Sequence, residues 1–155
     1  TDCLESAVLN AGGTYERLRV TIRPGKPIAK GRIGAMEIIG LPGNPVAALI
    51  NFLLFARPIL FEKLGTLGSD LSTVKARCAS ALPRHFNRSE FIPAQIGSIN
   101  EFGEPIIHKL GSGSSASLSP LVAADGFALI EAGVGSIEAG DTLDFYPFRN
   151  AFSVS

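Results

Sequence analysis

The 155-residue sequence is poor in the residues that build disulfide frameworks and metal centres, with two cysteines, two histidines and no tryptophan. Cys3 and Cys78 lie far apart and lack metal-ligand spacing, so we predict reduced thiols in a cytoplasmic protein. His85 and His108 each stand without metal-ligating companions. We therefore expect no metal ligands within this chain.

The sequence also lacks net charge and a long uninterrupted apolar run. Its 14 basic and 14 acidic residues balance, which gives no reason to expect nucleic acid or a membrane surface as a partner. The most apolar stretch, residues 46–64, is interrupted by Asn51, Arg57 and Pro58, so we predict no membrane-spanning helix. Because the sequence starts at Thr1 without a leader, we expect that it begins inside a longer protein.

The first part of the chain has the pattern of an α/β layer. Apolar residues at helical spacing precede Gly12, which predicts a helix ending there. One strand is predicted over residues 15–22 and another over 36–39, after a turn at 31–34. Residues 46–60 are apolar almost all round, which predicts a helix that is buried or shared with a partner. Residues 1–68 are thus interpreted as part of an α/β layer, with too few strands for a complete doubly wound domain.

After the small and polar residues 65–70, apolar residues recur at every second position instead of at helical spacing. Short extended segments separated by Gly, Pro, Asn and Ser turns predict a small β-barrel or sandwich over residues 72–148, with one helical turn near 118–124. Such segments are predicted at 91–92, 106–107, 127–130 and 142–146. Residues 149–155 are expected to form a tail. The predicted fold class is therefore α/β plus all-β.

Residues 40–45, Gly-Leu-Pro-Gly-Asn-Pro, lie between an apolar strand and the apolar helix. Asn44 is suited to cap the helix and Pro45 to be its first residue, since proline has no N–H to lose there. Gly43 lets the backbone approach a neighbour, and a helix that starts here points N–H groups outward. On the residues alone, structural capping and anion binding are about equally supported.

A second constellation, Arg23-Pro24-Gly25-Lys26-Pro27, follows the predicted strand at 15–22. Its prolines stiffen the loop, so that Arg23 and Lys26 are presented as fixed cations. If the two strands are neighbours in a parallel sheet, both loops lie at its carboxyl edge, where open α/β sheets bind ligands. A phosphate or a tetrahedral oxyanion fits that combination.

The paired motifs at 24–27 and 40–46, followed by a long apolar helix ending near Arg57-Pro58, resemble the C-terminal part of the MoeA/gephyrin E-domain family of molybdopterin molybdenumtransferases. Residues 88–91, 111–115, 124–126 and 139–141 resemble the small β-domain of that family. The resemblance covers nearly the whole chain but only the later part of the family's architecture. It implies that residues 1–68 are the C-terminal half of a three-layer α/β molybdopterin-binding domain.

The resemblance implies an enzyme of molybdenum cofactor synthesis that inserts molybdate into molybdopterin, from an adenylylated precursor where that is used, with Mg²⁺ assisting. It implies that Lys26 and Arg23 act on the oxyanion. It also implies that Mg²⁺ ligands lie outside this chain and that the full protein is a cytoplasmic homodimer. The implied substrate-binding residues are Pro24, Gly25, Pro27, Pro42, Gly43, Asn44, Pro45, Arg88 and Ser115.

This chain departs from the family pattern in three respects. Ala47 stands where serine is common, and Pro93 stands where arginine is common. The acidic upstream segment of the family lies before Thr1, so we expect the isolated chain to be inactive. The alternatives left open are a non-catalytic binding or scaffold module of the same family and, more weakly, a generic phosphate-binding α/β domain.

Overall fold

The computed structural model of the protein describes residues 3–24, 28–65, 71–82, 88–111 and 118–150. It contains a helix on a small sheet, a long helix, and a closed five-stranded barrel. The predicted fold class, a partial α/β unit followed by a small barrel, is confirmed. The proposed division near residues 68–72 stays a prediction, because residues 66–70 lie outside the described ranges.

The N-terminal unit is helix α1 (Cys3–Asn10) packed on a three-stranded sheet. Its strands are β1 (Thr14–Leu18), β3 (Ile28–Ile33) and β4 (Met36–Gly40), in the order β1-β3-β4; β2 (Ile22–Arg23) lies outside this sheet. A Cβ at Gly40 would lie 2.5 Å from the Leu4 side chain and 2.9 Å from the Ala29 side chain. Glycine is therefore needed there for α1 to approach the sheet.

Three predictions about this unit are wrong. The strand expected over residues 15–22 is interrupted: β1 ends at Leu18, and β2 joins the barrel instead. The turn expected over residues 31–34 is displaced, because Gly31 belongs to β3, a strand that the sequence did not reveal. All pairing in the small sheet is antiparallel, so the parallel arrangement considered for the two loops is also wrong.

A single helix spans Pro45–Lys63, as α2 (Pro45–Asn51), a π-helical segment (Phe52–Ala56) and α3 (Arg57–Lys63). It continues past Pro58, where the resemblance placed its end. Proline at 58 cannot donate to the carbonyl four residues earlier and its ring crowds that carbonyl. The wider π turn just before it, in which Arg57 N–H donates to Phe52 O, accommodates both effects.

By length and composition this helix is apolar enough to cross a membrane, with a mean hydropathy of 1.5. In the structure its apolar side chains Val46, Ile50 and Leu53 pack against the barrel. The helix is thus part of the protein core.

The barrel consists of β5 (Val74–Cys78), β6 (Ser89–Ile99), β7 (Pro105–Lys109), β8 (Gly126–Ile130) and β9 (Thr142–Pro147). The order β6-β7-β5-β9-β8 closes because β8 also pairs with β6, which removes the exposed sheet edges. Helix α4 (Ser119–Ala123) matches the helical turn predicted there. A 3₁₀ turn, Phe148–Asn150, follows β9; residues 151–155 of the expected tail lie outside the described ranges.

Alternation along the barrel strands gives two separate apolar clusters. Ile92 and Ala128 point into the barrel, together with Phe145, which is fully buried. Phe91 and Phe127 point outward on the same strands and pack against the long helix. The helix therefore shares a core with the barrel.

Candidate functional site

The two loops singled out by sequence emerge at the same edge of the small sheet. Ala29 pairs with Gly40, and Leu18 pairs with Ile28. Because β3 begins at this edge and its antiparallel neighbours β1 and β4 end there, residues 19–24 and the turn 41–44 both leave from it. The expected juxtaposition of Arg23, Lys26 and the turn stays a prediction, since Lys26 lies outside the described ranges.

The turn 41–44 starts the long helix as predicted. Asn44 is the N-cap: its Oδ1 accepts a hydrogen bond from Ala47 N–H at 3.0 Å, and Pro45 occupies the first helical position. Ala48 N–H donates to Asn44 O at 2.8 Å. Pro45 has no N–H, so within the described residues Val46 has the only first-turn amide left over. The helix thus offers fewer donors to an anion than the sequence suggested.

Gly43 is the open point of this turn. It is exposed, and a Cβ built on it would meet no heavy atom within 4 Å. Its φ is not in the left-handed region. Therefore neither the backbone conformation nor packing against the described residues requires glycine here. The open space beside Gly43 can accommodate a ligand or another chain. Pro42 beside it is buried and anchors the turn.

Strand β2 brings Arg23 to the barrel. Ile22 and Arg23 pair in parallel with Ser89 and Glu90 at the start of β6. Side chains at paired positions of parallel strands share a face, so Arg23 and Glu90 are neighbours on one side of the sheet. Arg88, which is exposed, directly precedes this pair. The start of β6 therefore places Arg23, Pro24 and Arg88 in one region.

Glu90 was not predicted to belong to this region. Two other acidic residues bind backbone amides: Asp141 Oδ2 accepts from Glu138 N–H within a turn, and Asp125 Oδ2 accepts from Ile96 N–H of β6, both at 2.8 Å. Glu90 instead lies within a strand. The signal that could have found it is its position just before the apolar pair Phe91-Ile92.

The predicted residues Gly25, Lys26, Pro27 and Ser115 lie outside the described ranges. Their roles stay predictions. In the part of the chain that the structure covers, no group of three or more His, Cys, Asp or Glu side chains is arranged to hold a metal ion.

The structure shows the surroundings of Ala47 and Pro93, the two positions at which this chain departs from the family pattern. Ala47 is 2% exposed, so a serine hydroxyl at this position would point into the protein and not toward the open turn. Pro93 pairs with Phe127 and shares its outward face, toward the long helix. A missing arginine at 93 therefore removes a charge from the helix side of the barrel, whereas a missing serine at 47 removes no surface donor.

Comparison with known proteins agrees with this architecture. Residues 75–148 match the model of the MoeA C-terminal region (domain IV) family. The chain is 31% identical to the molybdopterin molybdenumtransferase of Haemophilus influenzae over 147 residues, covering 93% of this chain and 36% of that protein. It is 29% identical to molybdopterin molybdenumtransferase 1 of Mycobacterium tuberculosis over 143 residues, covering 89% of this chain and 34% of that protein.

Among solved structures, the molybdopterin biosynthesis MoeA protein from Pyrococcus horikoshii superposes with a TM-score of 0.71 at 28% identity. That match covers 94% of this chain and 35% of the archaeal chain. The chain thus spans about a third of the length of the relatives that it matches.

Proposed function

We propose, from the premise that this chain belongs to the MoeA family through its C-terminal region, that it serves molybdenum cofactor synthesis. The full protein would insert molybdate into adenylylated molybdopterin. This chain would supply the later part of the substrate cleft and be inactive alone. Support for the fragment status comes from the relatives, whose remaining length has no counterpart in these 155 residues.

The observation that carries the proposal is that residues 19–24, which leave the same edge of the small sheet as the turn 41–44, also pair through β2 with the start of β6. Transfer of a molybdate oxyanion to a phosphate-bearing pterin needs fixed positive charge and positioning rather than covalent chemistry by the protein. Arg23 and Arg88 provide fixed charge on or beside paired strands, and Gly43 provides an open backbone surface.

The residues take four roles in this proposal. Arg23 and Lys26 hold the oxyanion, while Pro24, Gly25 and Pro27 fix the loop that carries them. Gly43, Asn44 and Pro45 form the surface that the substrate phosphate approaches, and the buried Pro42 holds the turn in place. Arg88 and Ser115 close the cleft from the barrel side. Because Asn44 already uses two of the helix's first amides, the side-chain cations must contribute most of the binding, which should therefore weaken with salt.

Mg²⁺ is proposed to be held by ligands outside this chain, where it would supply positive charge to the substrate phosphate. A cytoplasmic homodimer is proposed as well. Leu60 and Leu64 at the end of the long helix are 45% and 70% exposed, and Met36 on the small sheet is 57% exposed. These apolar residues would be covered by a second copy.

The experiment uses two matched glycines. Gly43 and Gly135 are both exposed, neither has a left-handed φ, and a Cβ on either meets nothing within 4 Å. Replacing either by alanine should leave folding intact or stabilise the protein by about 0.4–1 kcal/mol, since alanine restricts the unfolded chain. A methyl group at 43 would occupy the space that the substrate needs.

In a titration with molybdopterin, Gly43→Ala should weaken binding about tenfold or more, while Gly135→Ala should match the wild type. Equal affinities for the two variants would contradict a substrate contact at this turn. Melting curves of both variants exclude a folding defect as the cause.

The second candidate function is a non-catalytic binding module. It is favoured by Pro93, which places no charge on the helix side of the barrel. The intact mass from the native source distinguishes the two candidates: the enzyme requires a mass more than twice the 16.3 kDa of this chain, whereas a short binding protein has a mass near it.

A further inference from the structure

Two asparagine side chains hold the backbone of Ala47 from opposite sides. Asn44 Oδ1 accepts its N–H at 3.0 Å, and Asn51 Nδ2 donates to its carbonyl oxygen at 2.7 Å. Asn44 belongs to the exposed turn, but Asn51 is fully buried. A chain of hydrogen bonds thus runs from the interior of the protein to the turn 41–44.

Asn51 is a destabilising choice of residue at its position. Its Oδ1 is buried and has no hydrogen-bond partner among the described residues. An apolar side chain would pack beside Ile50 and Leu53 without leaving a buried acceptor unsatisfied. A buried polar group that costs stability calls for a role beyond packing.

Its location indicates what that role is. Asn51 is the last residue of α2, and the π-helical segment begins at Phe52. The π turn shifts the hydrogen-bond register of the helix by one residue. The bond from Asn51 Nδ2 occupies the Ala47 carbonyl at the boundary, so it favours α-helical register in the single turn between the π segment and the N-cap.

We propose that Asn51 is a positioning residue for the substrate-binding turn 41–44, acting through Ala47 and the Asn44 cap. This inference rests on the proposed function, because it assumes that the turn binds molybdopterin. Without the Asn51 donor, the first turn fluctuates between α and π register, the Ala47 N–H leaves Asn44 Oδ1 more often, and Gly43 loses its fixed orientation.

Threonine and valine at position 51 make a matched pair of equal shape. A threonine hydroxyl reaches the carbonyl four residues earlier in a helix, whereas valine has no donor. Asn51→Thr should therefore bind molybdopterin like the wild type, and Asn51→Val should bind about two- to tenfold more weakly. The melting temperature of Asn51→Val should equal or exceed that of Asn51→Thr, because the valine side chain has no polar atom to leave unsatisfied.

Equal molybdopterin affinities for Asn51→Thr and Asn51→Val would overturn the inference, as would a loss of affinity that follows the loss of stability in both. Hydrogen exchange at the Ala47 and Ala48 amides gives a readout that needs no ligand, and we expect faster exchange in Asn51→Val than in Asn51→Thr. If the wild type does not bind molybdopterin, the proposed function fails. In that case hydrogen exchange alone tests the role of Asn51, and equal exchange rates at the Ala47 and Ala48 amides in the two variants overturn the inference.

Discussion

Replacing Phe127 by alanine should detach the long helix from the barrel. Phe127 is 2% exposed and packs in the cluster with Val46 and Ile50 of the helix. Its ring also meets that of Phe148 edge to face, with centroids 5.0 Å apart. The side chain is therefore the main apolar link that β8 contributes to the shared core.

Truncation of a buried phenylalanine to alanine costs about 3–5 kcal/mol, against a total stability of about 5–15 kcal/mol for a typical domain. For a chain of this size, that loss lowers the melting temperature by roughly 6–20 °C. The matched control is Phe102→Ala, since Phe102 is 78% exposed. Its cost should stay within about 0.5 kcal/mol.

Urea unfolding of both variants measures the cost, and hydrogen exchange across Pro45–Lys63 locates it. We expect Phe127→Ala to lose exchange protection along the helix, because the helix shares an apolar cluster with the barrel. A cost below about 1 kcal/mol, or unchanged protection of the helix, would refute a shared core. It would then favour the independent domains 1–68 and 72–148.

Two further predictions concern charge. Arg77 beside Glu104, with Nε 2.8 Å from Oε2, lowers the pKa of that carboxyl, and Asn100 adds to the effect. A lowered pKa in the folded state stabilises the protein above the carboxyl's ordinary pKa, and this contribution disappears as the pH falls through the folded-state value. Glu104→Gln should therefore lower the melting temperature at pH 7, but it should leave the melting temperature unchanged at a pH below the folded-state pKa of Glu104. A drop in melting temperature of equal size at pH 7 and at that low pH would contradict the ion pair. Lys26→Ala should weaken molybdate or molybdopterin binding while leaving the melting temperature unchanged, and unchanged binding in a titration would count against its assignment.

Local chemistry determined what was predictable in this fold. Side chains of the barrel strands point alternately to the two faces of the sheet, so the segments Phe91-Ile92 and 127–130 were placed correctly. The Asn44 cap and Pro45 follow from the first turn of a helix. Strand β3 was missed because the sequence Lys30-Gly31-Arg32 is typical of a turn. In the structure, backbone pairing with β1 on one side and β4 on the other keeps these residues in a strand.

The candidate site depends on pairings that span long stretches of sequence. The two residues of β2 reach the barrel only through Ser89 and Glu90, and no local pattern at Ile22-Arg23 indicates that choice. The role of Asn51 was hidden for a related reason: an asparagine in an apolar run looks like an interruption until its bond to Ala47 is seen. By contrast, the motif at 40–45 was recognisable because capping and turn chemistry are local.

Residues 19–24, the turn 41–44 and the start of β6 are proposed to bind the phosphate of molybdopterin. Calorimetric titration of the protein with molybdopterin, and with the same pterin after removal of its phosphate, is the decisive experiment for this assignment. We expect saturable binding of molybdopterin that weakens with salt, and about tenfold or more weaker binding of the dephosphorylated pterin. Equal affinity for the two pterins, or no binding of either, would contradict it.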